Sequence, residues 1–136
     1  MRAVLDTNLL LSALLSEKGP PARIVEGWRA GSFELVTSRD QINEVKRAAS
    51  YAKLRPYVSR AAVGRLVNSL RTAEHLLVRL PRAGGSPDPG DDYLLAMAVA
   101  AEAEYLVTGD RALLSLKRFA TTCIATPRRF ATILGR

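Results

Sequence analysis

Short, nearly continuous apolar runs separated by helical segments constrain this chain more than any other feature. Residues 2–5 (RAVL), 33–37 (FELVT), 105–108 (YLVT) and 121–125 (TTCIA) lack the strict alternation of a half-exposed strand. Strands of this kind are buried on both faces, and with helices between them they make an α/β domain with a mostly parallel sheet. Residues 8–15 can be helical. Pro20 and Pro21 start a helix over 22–30, which Gly31 and Ser32 end. Ser38-Arg39-Asp40-Gln41 has the pattern of a capping box, and the helix it starts reaches about Ser50. Over 58–73, Val58, Ala62, Val63, Leu66, Val67, Leu70 and Ala73 share one face, with Arg60, Asn68 and Arg71 on the other. Residues 76–80 either prolong that helix or form a short extended segment. AGGSPDPG at 83–90 reads as a loop. Asp91 or Asp92 starts a Leu- and Ala-rich helix ending near Ala101. A short helix follows the Gly109-Asp110 turn, and Pro127 starts a terminal one. The 83–90 loop is too short to join two domains, so a single domain over 1–136 is expected.

A chain of 136 residues is long enough to bury a core. No apolar run nears the ~18 residues that span a membrane. The N-terminus lacks the basic start and apolar stretch of a signal peptide. The expectation is a cytoplasmic protein with no membrane association. Cys123 is the only cysteine, which excludes an intrachain disulfide or a cysteine zinc cluster and leaves it as a small core residue. The net charge of +7 is uneven. Between Val45 and Arg82, nine basic side chains face one acid, Glu74, so this segment carries +8 and the remainder −1. Such a segment favours a polyanion partner, nucleic acid foremost, over a merely solvated arginine-rich face.

Open parallel sheets bind ligands beyond the carboxyl ends of their strands. Asp6 stands just past the first strand and Asp110 just past YLVT. Asp91 or Asp92 starts the helix leading into YLVT. Glu44 lies more than a turn into the helix after the second strand. Four carboxylates gathered there would repel one another, and buried unpaired charge is expensive, so they need a cation. An all-oxygen set without His or Cys favours Mg²⁺ or Mn²⁺ over Zn²⁺, and suits displacement at phosphate by an activated water. Other residues have plainer roles. Asp40 favours the dipole of a first helical turn, and Asp88 suits a turn. His75 is a surface or partly packed residue, and Trp28 and the four tyrosines pack. Asn8 either holds the first carboxylate or a phosphate, or caps a helix, and Thr108 can do similar work. A haloacid-dehalogenase-type phosphatase needs D-x-D where this chain has Asp6-Thr7-Asn8. A receiver domain needs a phosphoacceptor Asp after a middle strand and a late strand-end lysine. A dinucleotide binder needs a glycine-rich first turn, which LDTNLL lacks.

The ordered segments VLDTNLLLSALL, VTSRDQINEV and DPGDDYLLAMAVAAEAEYLVTGDRALL resemble the PIN-domain ribonucleases. Within that family they are most similar to bacterial toxin components of type II toxin–antitoxin pairs, related to VapC. The likeness runs from the first strand to IATPRRF. It implies a three-layer α/β/α sandwich with a central mostly parallel sheet, and endonucleolytic hydrolysis of RNA by a metal-activated water, leaving 5′-phosphate and 3′-hydroxyl ends. On this likeness Asp6, Glu44, Asp91 and Asp110 are the catalytic acids. Asp6, Asp91 and Asp110 hold Mg²⁺ (or Mn²⁺). Asp92 is the alternative to Asp91, and Asp88 also competes for the third place. Glu44 completes the pocket as a ligand or by orienting water, and Asn8 and Thr108 support it. Arg39, Lys46, Arg47, Lys53 and Arg55 hold the RNA backbone, with single-stranded or looped RNA preferred over duplex. The toxin likeness also implies a small antitoxin partner and a homodimer. The alternative is a catalytically inactive PIN domain serving as an RNA-binding or partner-binding module, marked by binding without metal-dependent turnover.

Overall fold

The apolar runs become strands whose successive side chains enter two different cores. In the computed structural model, which describes residues 1–81 and 89–136, the strands are β1 (Arg2–Leu5), β2 (Glu34–Ser38), β3 (His75–Leu77), β4 (Tyr105–Val107), β5 (Arg118–Phe119) and β6 (Thr122–Ala125). They form one sheet in the order β3-β2-β1-β4-β6-β5, parallel except for the β5–β6 pair. The helices are α1 (Thr7–Leu15), α2 (Pro20–Arg29), α3 (Arg39–Ala49), α4 (Arg60–Leu70), α5 (Asp92–Ala100), α6 (Arg111–Ser115) and α7 (Pro127–Ile133). Ala3 and Leu5 of β1 pack among residues of α1, α2, α3, α4 and α7, whereas Val4 packs among those of α5 and α6. A central strand with apolar side chains on both faces therefore carries a helical layer on each, which is the three-layer α/β/α sandwich. Among the described residues no helix is long and apolar enough to cross a membrane.

The strand order reverses between β1 and β4. The chain builds β2 and β3 to one side and β6 and β5 to the other, while β1 and β4 pair parallel at the centre. Both end on the same edge, so Asp6 and Asp110 flank the topological switch point, where open α/β sheets open a crevice for ligands.

Residues 75–77 resolve the choice left open for 76–80: they form an edge strand because their backbone pairs in parallel with Val36–Ser38. α4 is shorter than the 58–73 pattern, starting after Ser59, whose Oγ accepts from the Ala62 N–H at 3.0 Å. β5 carries no periodic signal, being two residues long and held by a tight turn with Ala120 at φ 51°. Cys123 is a half-exposed residue of β6 and not part of the core. Tyr51 and Tyr57 are exposed, against the expectation that all tyrosines pack, because both fall in the polar segment joining α3 to α4.

Glu74 offsets little of the basic segment's charge but ties α2 to β2. Its Oε1 accepts from Trp28 Nε1–H at 3.0 Å and from the Leu35 N–H at 2.9 Å. Burial works to raise its pKa, yet the bonds from the Leu35 amide, its own amide and Trp28 outweigh that and hold the carboxyl below its usual range. Glu34 is also lowered, chiefly by its hydrogen bond with His75. A carboxylate with a lowered folded pKa stabilises the fold above the unfolded pKa, and that contribution fades as pH falls through the folded value. Glu74→Ala is expected to lower stability by about 1 kcal/mol at neutral pH, a modest figure because water reaches the group. In thermal melts the gap from wild type is expected to narrow between about pH 5 and about pH 3. A gap that stays constant would separate these bonds from the ionised carboxylate.

Candidate active site

Asp6 lies where β1 stops and α1 starts with no loop between them. Its N–H donates to the Val107 carbonyl at 2.9 Å, which carries the β1–β4 pairing one residue further. Its Oδ1 accepts from the Asn8 N–H at 3.2 Å, capping α1. Its Oδ2 accepts from the fully buried Thr108 hydroxyl at 2.6 Å. Thr108 Oγ1 in turn accepts from the Asp110 N–H at 3.0 Å, and Asp110 Oδ1 caps α6 by accepting from the Ala112 N–H at 2.7 Å. Each acid is thus a helix cap, and one threonine locks the two together across the switch point. Asp6 is only 7% exposed. Burial pushes its carboxyl pKa up most, the Thr108 and Asn8 bonds oppose that, and the charge of Asp110 adds to the rise.

Tyr93, in the first turn of α5, meets the residue directly after Asp6. The Tyr93 hydroxyl pairs with Thr7 Oγ1 at 2.8 Å. Its pKa is pushed up, first by burial and then, after the opposing Thr7 bond, by the charges of Asp6, Glu44 and Asp91. Tyr93 packs against the core under α5 as expected, and its hydroxyl bond to Thr7 ties α5 to the start of α1. The family described as PIN domain matches residues 2–112. The chain belongs to the PIN-domain family. No curated protein matches it. PIN domains are generally nucleases, and this PIN domain has a nuclease fold, with Asp6, Glu44, Asp91, Asp92 and Asp110 all inside the matched span.

The remaining site residues of this PIN domain are placed as follows. Asp91 ends a 3₁₀ turn (Pro89–Asp91) at the N-cap position of α5, and Asp92 is the first residue of that helix. Asp88 lies outside the described residues. Asn8 serves Asp6 through its main-chain N–H, and its side chain is on an exposed residue. Glu44 is gripped by Arg47 one turn along α3, with Nε to Oε2 at 2.9 Å and Nη2 to Oε1 at 2.6 Å. Arg47 also donates to the Tyr51 hydroxyl and lies 5.4 Å from that ring's centroid. The i,i+3 spacing on a helix makes this pair, so Arg47 stands apart from the other cations assigned to an RNA backbone. Arg39, Lys46, Lys53 and Arg55 are exposed. Among the described residues no three acidic, histidine or cysteine side chains are gathered as they would be around a metal ion. His75 is bound to Glu34, away from the acids.

Gln41 is the residue whose sequence role differs most from its structural one. The Ser38 half of the capping box forms, with Ser38 Oγ accepting from the Gln41 N–H at 3.0 Å. The Gln41 side chain, 0% exposed, reaches β1. Its Nε2 donates to the Leu5 carbonyl at 2.6 Å and lies 3.5 Å from Thr7 Oγ1, and its Oε1 accepts from the Thr37 hydroxyl at 2.6 Å. One amide on the helix of Glu44 thus fixes the residues on either side of Asp6 and connects through Thr7 to Tyr93. The available signal was a polar residue on the inward stripe of α3, beside Ile42, Val45 and Ala48.

Proposed function

We propose that this PIN domain is a divalent-metal-dependent endoribonuclease and the toxin component of a toxin–antitoxin pair. The observation that carries the reading is the buried Asp6, coupled through Thr108 to Asp110, with its pKa raised by burial and by that neighbour's charge. Two carboxylates close enough to repel at the switch point favour a cation there, and an oxygen-only donor set fits Mg²⁺ or Mn²⁺. Asp6, Asp110 and Asp91 (Asp92 as the alternative) would hold the ion, with Glu44 completing the pocket. Asp91, at the N-cap position of α5, is preferred over Asp92, the first residue of that helix. Bound there, the ion would supply Lewis acidity and a more acidic water. The chain's own groups do the rest. Thr108 keeps the two strand-end acids aligned. Gln41 holds the β1 terminus in place. Arg47 holds Glu44 by both carboxylate oxygens and so fixes how that acid is presented. The likeness to VapC-related toxins extends the proposal to a small antitoxin partner, a homodimer and a cytoplasmic location.

A mixed RNA pool incubated with Mg²⁺, Mn²⁺ or EDTA tests the reading. Fragments with 5′-phosphates are expected with either metal and none in EDTA. Mn²⁺ is also expected to raise the melting temperature, since a ligand of the native state stabilises it. The second reading, a catalytically inactive PIN domain that binds RNA or a partner, is favoured by one observation, the engagement of both Glu44 oxygens by Arg47. RNA binding without cutting under any metal would support it.

A further inference from the structure

The basic side chains of the central segment do not form one uniform face. α3 and α4 pack against each other, and two cavities lie along this region. The first, about 550 Å³, is lined by the cations Arg39, Lys46 and Arg71, with Ile42 and Leu76 as apolar walls. The second, about 570 Å³, is lined by Lys46 again with Arg55 and Arg60, and by Val58 and Val63. Lys46 belongs to both, so the two chambers form one groove with a cation at the waist. Among the described residues no acid lines either chamber, and none of these five cations is in an ion pair. Neighbouring Arg47, one helical step round, is neutralised by Glu44. The groove begins at Arg39, the residue directly after β2, on the sheet edge where Asp6 and Asp110 stand. From Arg39 to Ser50 it runs about 16 Å along the α3 axis.

We infer that this groove is a docking track for single-stranded RNA leading to the acidic edge, with one nucleotide in each chamber and Lys46 on the phosphate between them. The inference rests on the ribonuclease reading and gives it a substrate path. Five cations with no acid lining beside them favour a polyanion, and the backbone of a nucleic acid supplies charge at regular intervals. Each chamber has the volume of a small-ligand pocket. Apolar walls between cations suit a base and ribose lying beside their phosphates. A stacked duplex offers no base to a recess, whereas a single strand can splay its bases into one.

Fluorescence anisotropy of a labelled oligouridine of about 12 nucleotides, with the full chain in EDTA, reads binding apart from cutting. With each of the five cations on a phosphate, those of the flanking nucleotides included, the slope is about −3.5 for log K against log salt. Lys46→Ala is expected to weaken binding about tenfold and to reduce the slope by about 0.7. Arg71→Ala and Arg60→Ala, one in each chamber, are expected to weaken it about three- to fivefold with the same loss of slope. Lys18→Ala removes the same charge between α1 and α2 and is expected to change neither quantity. An RNA duplex of equal length is expected to bind more weakly. If Lys46→Ala behaves as Lys18→Ala does, or the duplex binds as well as the single strand, the groove assignment fails and the ribonuclease reading stands. If wild type binds no RNA but binds polyglutamate in a Lys46-dependent way, the RNA track and the reading beneath it both fail.

Discussion

Asp6→Asn and Asp110→Asn are each expected to reduce RNA cleavage by about a thousandfold or more, with stability staying within about 1 kcal/mol of wild type. The two effects separate because the proposed function gives each acid a second job beside its cap. As caps, they need an oxygen that accepts a main-chain N–H, and Asn serves an N-cap as well as Asp does. Asp110→Asn keeps the oxygen that meets the Ala112 N–H. Asp6→Asn is the harder case, since Oδ1 takes the Asn8 N–H and Oδ2 takes the Thr108 hydroxyl, and an amide has only one acceptor oxygen. It loses about one hydrogen bond, but it also removes a buried charge held beside Asp110. As the proposed ion holders, both positions would need the negative charge, and Asn lacks it. Cleavage in a gel assay is therefore lost while the melt followed by circular dichroism stays close to that of wild type, and Mn²⁺ is expected to raise the melting temperature of wild type only. Cleavage that persists in both variants would move the chemistry away from the switch point. Unfolding of Asp6→Asn would make its cap and Thr108 bond its main work.

The layers were legible because strands buried on both faces leave runs without alternation, and these mark β1, β2, β4 and β6 directly. The strand-end acids were legible for a related reason. Asp6 and Asp110 follow their strands with no intervening loop or with a two-residue turn, so topology fixes where they stand. Legibility failed where position depends on a side chain's reach or on helical phase. Lys46 and Arg47 are adjacent in sequence, yet one step of the helix turns Arg47 onto Glu44 and Lys46 into the groove. Asp91 and Asp92 straddle the join between a 3₁₀ turn and α5, so counting at one fixed spacing cannot be carried across them. Tyr93 looked like one more packed aromatic at the start of an apolar helix, and only the fold shows that its hydroxyl pairs with Thr7, next to Asp6.

Gln41 is the instructive failure, because its local explanation was sound and incomplete. A Gln three residues after Ser38 satisfies the capping-box pattern, so nothing nearby asks for another role. Its actual partners, Leu5 of β1 and Thr7 at the start of α1, are thirty or more residues away, except for Thr37. Gln41→Leu is expected to lower stability by about 3 kcal/mol, because the buried Leu5 carbonyl and Thr37 hydroxyl both lose their partner. That loss is expected to vary little between about pH 5 and about pH 8, since no titrating group is added. Gln41→Glu keeps an acceptor for Thr37 but sets a carboxylate oxygen against the Leu5 carbonyl in a wholly buried position. Burial raises the pKa of such a glutamate, so its protonated form, which can donate to Leu5, is the stable one. The Glu variant is therefore expected to be most stable below the unfolded pKa of about 4.3 and to lose stability as pH rises through the folded value. Melts of the two variants across pH distinguish this bridge from simple volume filling. If Gln41→Leu melts within about 0.5 kcal/mol of wild type, the amide bridge is not what holds the β1 terminus in place. If both variants follow the expected curves and the folded fraction of Gln41→Leu cuts RNA with lowered kcat at unchanged KM, Gln41 positions Asp6 for the reaction without touching the RNA.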